Sequence, residues 1–318
     1  MDYGRPGLSR GARPEGGSAV MTSLRTRKFT PNRQTKAAIL FLFPSALVLV
    51  LFVFWPIVNS LWLSFHDWNL MESDRGFAGF ANYQELMRDE RFWNSVVNTL
   101  YYTLGTVPVC IALSLGLALI CNVGLRGTAF FKSVYFLPVI TSFAMISIIW
   151  GFLMDPDIGL LSYYMKRLGF HMPDMLRSTK WAMPAVIFVA IWKNIGFNMV
   201  ILLAGLKAIP VSLYEAARLD GAGPFQRFAH ITLASLRHTL LFVVIISVIS
   251  SFQVFDQVYV MTRGGPLHST ETIVYYIYHQ GLQLLNMGYA SSMAWLLFVV
   301  IFVITIVQLR IFRFDQTD

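Results

Sequence analysis

The stretch Ser291-Ser292-Met293-Ala294-Trp295-Leu296-Leu297-Phe298-Val299-Val300-Ile301-Phe302-Val303-Ile304-Thr305-Ile306-Val307-Gln308-Leu309-Arg310-Ile311 decides the fold class. No residue from Ser291 to Leu309 is charged. The stretch reaches the roughly 20 residues that an α-helix needs to cross a hydrocarbon core. Five more runs qualify, approximately Ala37–Phe65, Asn94–Cys121, Ser133–Met154, Ala182–Leu206 and Leu240–Met261. Pro44, Pro56, Pro108 and Pro138 fall inside these runs, which a membrane helix tolerates when neighbours satisfy the freed carbonyls. The expectation is an all-α, polytopic membrane protein with about six transmembrane helices, residues 37–318 forming one membrane domain.

The bulk composition agrees. Of 318 residues, 56% are hydrophobic and 13% are charged, and mean hydropathy is +0.57. A soluble domain carries roughly 25% charged residues, so water is the wrong solvent for this surface. The net charge of +8 is not the footprint of a nucleic-acid binder, because its basic residues cluster beside hydrophobic segments, where they set membrane orientation. The first apolar run is too long, and too far from residue 1, for a cleaved signal peptide. Residues 1–36 are rich in Gly, Arg, Pro and Ser and read as a disordered basic cytoplasmic tail. Cys110 and Cys121 share one apolar run. About 16 Å of helix separates them, whereas a disulfide needs Cα atoms within about 7 Å, so both read as packing residues.

Orientation follows from Lys and Arg placement. With the amino terminus inside, the inner segments hold eight basic residues before Ala37, then Arg126, Lys132, Lys207, Arg218, Arg227, Arg237, Arg310 and Arg313. The outer loops hold Arg75, Arg88, Arg91, Lys166, Arg167, Arg177, Lys180 and Arg263. The twofold excess predicts that both termini are cytoplasmic and that the loop from Lys207 to Arg237 faces the cytosol.

That loop reads Ile209-Pro210-Val211-Ser212-Leu213-Tyr214-Glu215-Ala216-Ala217-Arg218-Leu219-Asp220-Gly221-Ala222-Gly223-Pro224. Ser212 with Glu215 has the spacing of a capping box, Gly221 suits a left-handed residue past a helix end, and Pro224 suits the first turn of a second helix. A helix, a sharp turn and another helix are predicted, a docking element for a partner with a groove. Glu215-Ala216-Ala217, then Gly221, then Ile231 and Leu233, resemble the EAA loop of binding-protein-dependent ABC importer permeases. One departure is Ala234, where the family has Pro.

Trp192-Lys193-Asn194-Ile195-Gly196-Phe197-Asn198-Met199 and Phe255-Asp256-Gln257-Val258-Tyr259-Val260-Met261-Thr262-Arg263-Gly264-Gly265-Pro266 are similar to the carbohydrate branch of that family, of maltose and glycerol 3-phosphate type, over roughly Ala37 to Phe314. The resemblance implies an inner-membrane subunit that pairs with a second homologous permease, two ATPase subunits and an extracytoplasmic solute-binding protein. It implies import of a sugar or related solute. Glu215, Ala216, Ala217, Asp220 and Gly221 would then couple to the ATPase, and Gly264, Gly265 and Pro266 would lie near the binding protein. The Arg263–Pro266 turn, made adaptable by its glycines, reads equally as a plain re-entry turn.

Lys193 and Asp256 lie within predicted spans, where charges are costly and face the bundle interior or a cavity. On continuous helices their depths are roughly 20 Å and 24 Å from the cytoplasmic end, so they form an ion pair, contact solute, or occupy a cavity with neither role. Asn194 and Asn198 share one face of a helix, and Gln253, Asp256 and Gln257, with Tyr259 beyond, stripe the next span. These residues suit sugar hydroxyls; they suit interhelical hydrogen bonding as well. No phosphate-binding G-x-x-x-x-G-K-[ST] or metal-ligand spacing occurs in the chain, so no cofactor is expected on it, and ATP and Mg belong to partner subunits. The rival classes are an ion-coupled secondary transporter, which predicts inverted repeats and broken helices, and a membrane enzyme, for which no acid–base or nucleophile constellation stands out.

Overall fold

A computed structural model describes residues 33–72, 76–123, 127–169 and 173–313. Residues 1–32 of the expected tail, the topology residues Arg75 and Arg126, and Phe314 lie outside the described residues. The helix begins at Arg33, ahead of the expected boundary, as the helix-favouring Arg33, Gln34, Lys36 and Ala37 allow.

The chain divides into two compact units at Trp55. In the first, α1 (Arg33–Leu49) runs into a π turn at Val50–Phe54. In the second, α2 (Trp55–Leu63) leads to a two-residue antiparallel pair, β1 (His66–Asp67) with β2 (Gly76–Phe77). There follow α3 (Ala81–Arg88), α4 (Glu90–Asn122), α5 (Thr128–Ile140), α6 (Phe143–Leu153) and α7 (Leu160–Arg167). Then come α8 (Ala182–Lys207), α9 (Val211–Leu219), α10 (Pro224–Arg227), a π segment Phe228–Leu233, and α11 (Ala234–Phe252). The chain continues through α12 (Asp256–Met261), α13 (Ile273–Tyr278), a π segment His279–Gln283, and α14 (Met287–Arg313). Five helices among the described residues are long and apolar enough to cross a membrane, six counting one bent pair as a span.

Two expected spans are not single helices. Ser133–Met154 is α5 and α6 meeting at 101°, with Ser142 capping α6 by accepting from the Met145 amide at 3.3 Å. A run of apolar residues hid the break; the Thr141-Ser142 pair inside it has the chemistry of a helix start. Leu240–Met261 breaks at Gln253–Phe255. The helical rod containing α11 instead begins at Pro224 and runs to Phe252.

Packing centres on α4 and α8. Ser114 Oγ donates to the Ile195 carbonyl at 2.9 Å. Met199, Leu202 and Leu206 of α8 bury against Ala118 and Cys121 of α4 and Leu236 and Val243 of α11. Cys110 and Cys121 are buried free thiols, as their spacing required. α5 also lies on α8, at Gly196, where an added Cβ would stand 1.9 Å from the Tyr135 carbonyl oxygen. The backbones touch because no side chain intervenes.

Gly196→Ala therefore forces α5 away from α8. We expect a loss of roughly 1–3 kcal/mol, typical of overpacking, read as a lower thermal unfolding midpoint in detergent. An unchanged midpoint would show that α5 does not pack there.

Candidate functional site

The break in the fifth span opens onto a cavity of about 380 Å³. Of the pathway residues expected from sequence, Asn194, Asn198, Gln253, Asp256 and Gln257 all line it. They do not line it as two helical stripes. Gln253 ends α11, and Asp256 and Gln257 open α12, so the i, i+3, i+4 reading of one continuous helix is wrong; the intervening Val254 and Phe255 are also on the wall. Asn198 Nδ2 lies 3.3 Å from Ser247 Oγ and 3.5 Å from Cys110 Sγ. Gln257 is 2% exposed and its amide nitrogen donates to the Tyr102 hydroxyl, while its carbonyl oxygen has no partner. Asn198 and Gln257 thus act as interhelical ties and as lining together. The lining residues missed include Tyr102, Thr106 and Cys110 of α4. Their four-residue spacing puts them on one helix face, a signal present in the sequence.

Tyr259 does not line the cavity. It stacks on Phe255 at 5.4 Å between ring centroids and meets Tyr278 edge-on at 5.4 Å, so Phe255 joins an aromatic cluster to the cavity wall.

Lys193 makes no ion pair with Asp256. It is 7% exposed, its ammonium 3.4 Å from the Val139 carbonyl in the last turn of α5 and 4.2 Å from the centroid of Phe143, the first residue of α6. A cation suits both a helix carboxyl end and an aromatic face. The helix breaks, not visible in the sequence, put Asp256 on a separate segment, so its depth on a continuous helix carries no information. Among the described residues no Lys or Arg pairs with Asp256.

The Arg263–Pro266 turn is held more tightly than its glycines suggested. Arg263, Leu267 and His268 are non-glycine residues at positive φ, a local strain that surrounding contacts must hold. Glu271, 0% exposed, supplies them. It accepts from Arg91 Nε and Nη2, both at 2.8 Å, and lies 2.8 Å from His268 Nδ1. Asn94 and Asn98 donate to the His268 carbonyl at 3.0 and 2.8 Å, and Thr270 Oγ1 donates to the Gly265 carbonyl at 2.7 Å. Gly264 is buried; a Cβ there would meet Tyr275 at 2.9 Å. The surface of this loop is made by Arg263, Leu267 and His268 instead. Nearby, Asp89 caps α4 and accepts from Tyr276 and Tyr289 at 2.6 Å each. Burial opposes its charge, but these hydrogen bonds and those from the Phe92 and Arg91 amides outweigh it and hold the carboxyl below its usual range. Burial, and then Asp89, push the Tyr276 phenol up to about 12.

At the other end of the α11 rod, the predicted helix–turn–helix forms. Gly221 has φ +77°, and the turn closes with Gly221 N–H to the Arg218 carbonyl (3.1 Å) and Ala222 N–H to the Ala217 carbonyl (2.8 Å), the two bonds of a Schellman motif. Pro224 opens α10 as expected. The capping box is not where its spacing placed it. α9 starts after Pro210, whose extended backbone makes it the N-cap, with no side-chain cap bond, so Ser212 sits inside the first turn. The reciprocal contact occurs at α10, where Gln226 Oε1 accepts from the Gly223 amide at 2.8 Å. Tyr214 ties α9 back to the rod, 3.0 Å from Thr232 Oγ1. Glu215, Ala216, Asp220 and Gly221 are exposed and Ala217 half-buried.

A helical bundle with broken spans around a cavity that carries several polar side chains, and a helix–turn–helix at one end of a long apolar rod, fits a membrane permease. Residues 76–314 match the family described as binding-protein-dependent transport system inner membrane component, and the chain belongs to that family. It is 35% identical over 277 residues to the sulfoquinovosyl glycerol transport system permease protein SmoG of Agrobacterium fabrum, covering 87% of this chain and 90% of that one. It is 33% identical over 268 residues to the sn-glycerol-3-phosphate transport system permease protein UgpA of the same organism, covering 84% and 91%. In fold it resembles a chain of a bacterial ABC transporter involved in import of the acidic polysaccharide alginate, with TM-score 0.79, 22% identity, and 90% and 97% coverage.

Glu271→Gln keeps the side-chain shape and removes the charge that Arg91 grips. Removing one partner of a buried pair costs about 3–5 kcal/mol. Arg91 is 30% exposed and rehydrates in part, so we expect roughly 1–3 kcal/mol. Thermal unfolding of the purified protein reads this loss; an unshifted midpoint would show that the loop after α12 does not depend on Glu271.

Proposed function

We propose that this chain forms half of the translocation pathway of an ATP-driven importer, taking a sugar or related hydroxyl-rich solute from an extracytoplasmic binding protein. A second homologous permease completes the pathway and two ATPase subunits supply the energy. ATP and Mg are used by those subunits, with no cofactor on this chain. Both termini face the cytoplasm. α9 docks on an ATPase through Glu215, Ala216, Ala217, Asp220 and Gly221. The binding protein rests on the outer loop at Gly265 and Pro266, with Arg263, Leu267 and His268 as the exposed contact.

The observation that carries this reading is the rod itself. Helix runs from Pro224, immediately after the α9 turn, to Phe252, 29 residues or about 40 Å, and the next residue, Gln253, is on the cavity wall. A displacement of α9 is delivered to the cavity without an intervening flexible joint. The solute class draws on the hydrogen-bonding lining and on relatives named for sulfoquinovosyl glycerol and sn-glycerol 3-phosphate transport. Broken spans are also what an ion-coupled transporter would have, but that mechanism gives no reason for the α9 turn.

Gly221→Val tests the coupling. An added Cβ meets nothing within 4 Å, so the cost is backbone strain at positive φ, of order 1 kcal/mol or more. Glu215→Ala, with no capping role to lose, removes only an exposed carboxylate. Reconstituted complexes carrying either change should capture solute normally yet lose uptake per ATP hydrolysed; wild-type uptake at wild-type ATP cost in both would make the loop a passive connection. A reporter active only outside the cell, fused after Asp318, should be silent, and activity there would overturn the orientation.

A further inference from the structure

We infer that the cavity at the broken fifth span selects an uncharged, hydrogen-bond-donating solute, and that Asp256 excludes anions from it. This rests on the reading of the cavity as the solute pathway, and it differs from what the relatives' names suggest, since glycerol 3-phosphate is an anion.

The argument is one of complementarity. Asp256 is exposed and on the cavity wall. No hydrogen bond or ion pair engages its carboxylate among the described residues. A carboxylate only accepts hydrogen bonds. Gln257, beside it, adds no charge to this wall; its side chain is buried, with the amide nitrogen bonded to the Tyr102 hydroxyl. Solute hydroxyls satisfy the Asp256 carboxylate. Fully ionised phosphates, sulfonates and carboxylates donate nothing to it and are repelled by its charge. The Lys193 ammonium does not offset this. Lys193 is buried behind the Phe143 ring and committed to the Val139 carbonyl, so Phe143, not the ammonium, meets the cavity.

Charge selection can be measured without knowing the solute. The whole complex, purified with its partner subunits and with Cys110→Ser and Cys121→Ser in this chain, receives Ser250→Cys, an exposed position on the same wall. Gln253→Cys serves as an independent second position should Ser250→Cys fail to assemble. The thiol is reacted with a trimethylammonium-ethyl methanethiosulfonate or with the sulfonatoethyl analogue. Labelling is read by mass on this chain, and each rate is normalised to the same reagent's rate with free 2-mercaptoethanol. The cation should react at least about tenfold faster than the anion. Asp256→Asn should bring the ratio near unity, and Asp256→Lys should invert it. Equal rates in the parent, or a ratio unmoved by Asp256→Asn, overturn the charge selection and leave the pathway reading standing. Labelling by neither reagent, with or without ATP, overturns the pathway reading itself.

Discussion

In a hydrocarbon solvent every backbone amide and carbonyl must find its partner within the protein, because an orphan costs several kcal/mol and no water is there to replace it. Continuous helices meet that condition by themselves, so a broken helix at membrane depth is tolerated only where protein buries it or a wet cavity borders it. Both breaks here obey this. At the first, Lys193 donates to the Val139 carbonyl in the last turn of α5, and Ser142 caps the start of α6. At the second, the Thr272 hydroxyl donates to the Val254 carbonyl at 3.1 Å, while Gln253 through Asp256 border the cavity. The chemistry of the site and the repair of the backbone are one arrangement.

The loop after α12 supports that arrangement. Thr272, which satisfies the second break, follows directly on Glu271, and Asn98 Nδ2 donates to the Glu271 carbonyl at 3.0 Å. The Ile273 amide donates to Thr99 Oγ1 at 3.0 Å. The loop after α12 is therefore fastened to α4, the helix that also supplies Tyr102, Thr106 and Cys110 to the cavity lining.

At the other end of the rod, local chemistry fixes the turn. Pro224 presets the first turn after the α9 motif, Gly221 alone accommodates the left-handed corner at no steric cost, and the helix then runs without interruption to the break. Departure from the family pattern at Ala234 fits the same logic. Pro would remove an amide donor there, whereas Ala234 continues the helix from the π segment into α11.

What the sequence determined by itself was everything that depends on local chemistry or on solvent. Apolar run length specified a membrane bundle of about six helices, because the bilayer sets the length. The Gly221 and Pro224 turn was legible, because φ preferences are carried by single residues. Five of the six pathway residues named from the sequence line the cavity, because polar groups in an apolar run need a reason to be there. The tertiary structure decided what depends on partners distant in the chain. It separated Lys193 from Asp256, placed Tyr259 among the aromatics, buried Gly264 beneath Tyr275, and joined Arg91 to Glu271 across most of the sequence. It also moved the helix-start chemistry from Ser212 to Gln226, since Pro210 had already fixed where α9 begins. The two breaks lay between these cases. Thr141-Ser142 has the residues of a helix start, but whether a helix inside a membrane ends there depends on whether another segment brings a donor to its last carbonyls. Lys193 and Thr272 do so only once the chain has folded.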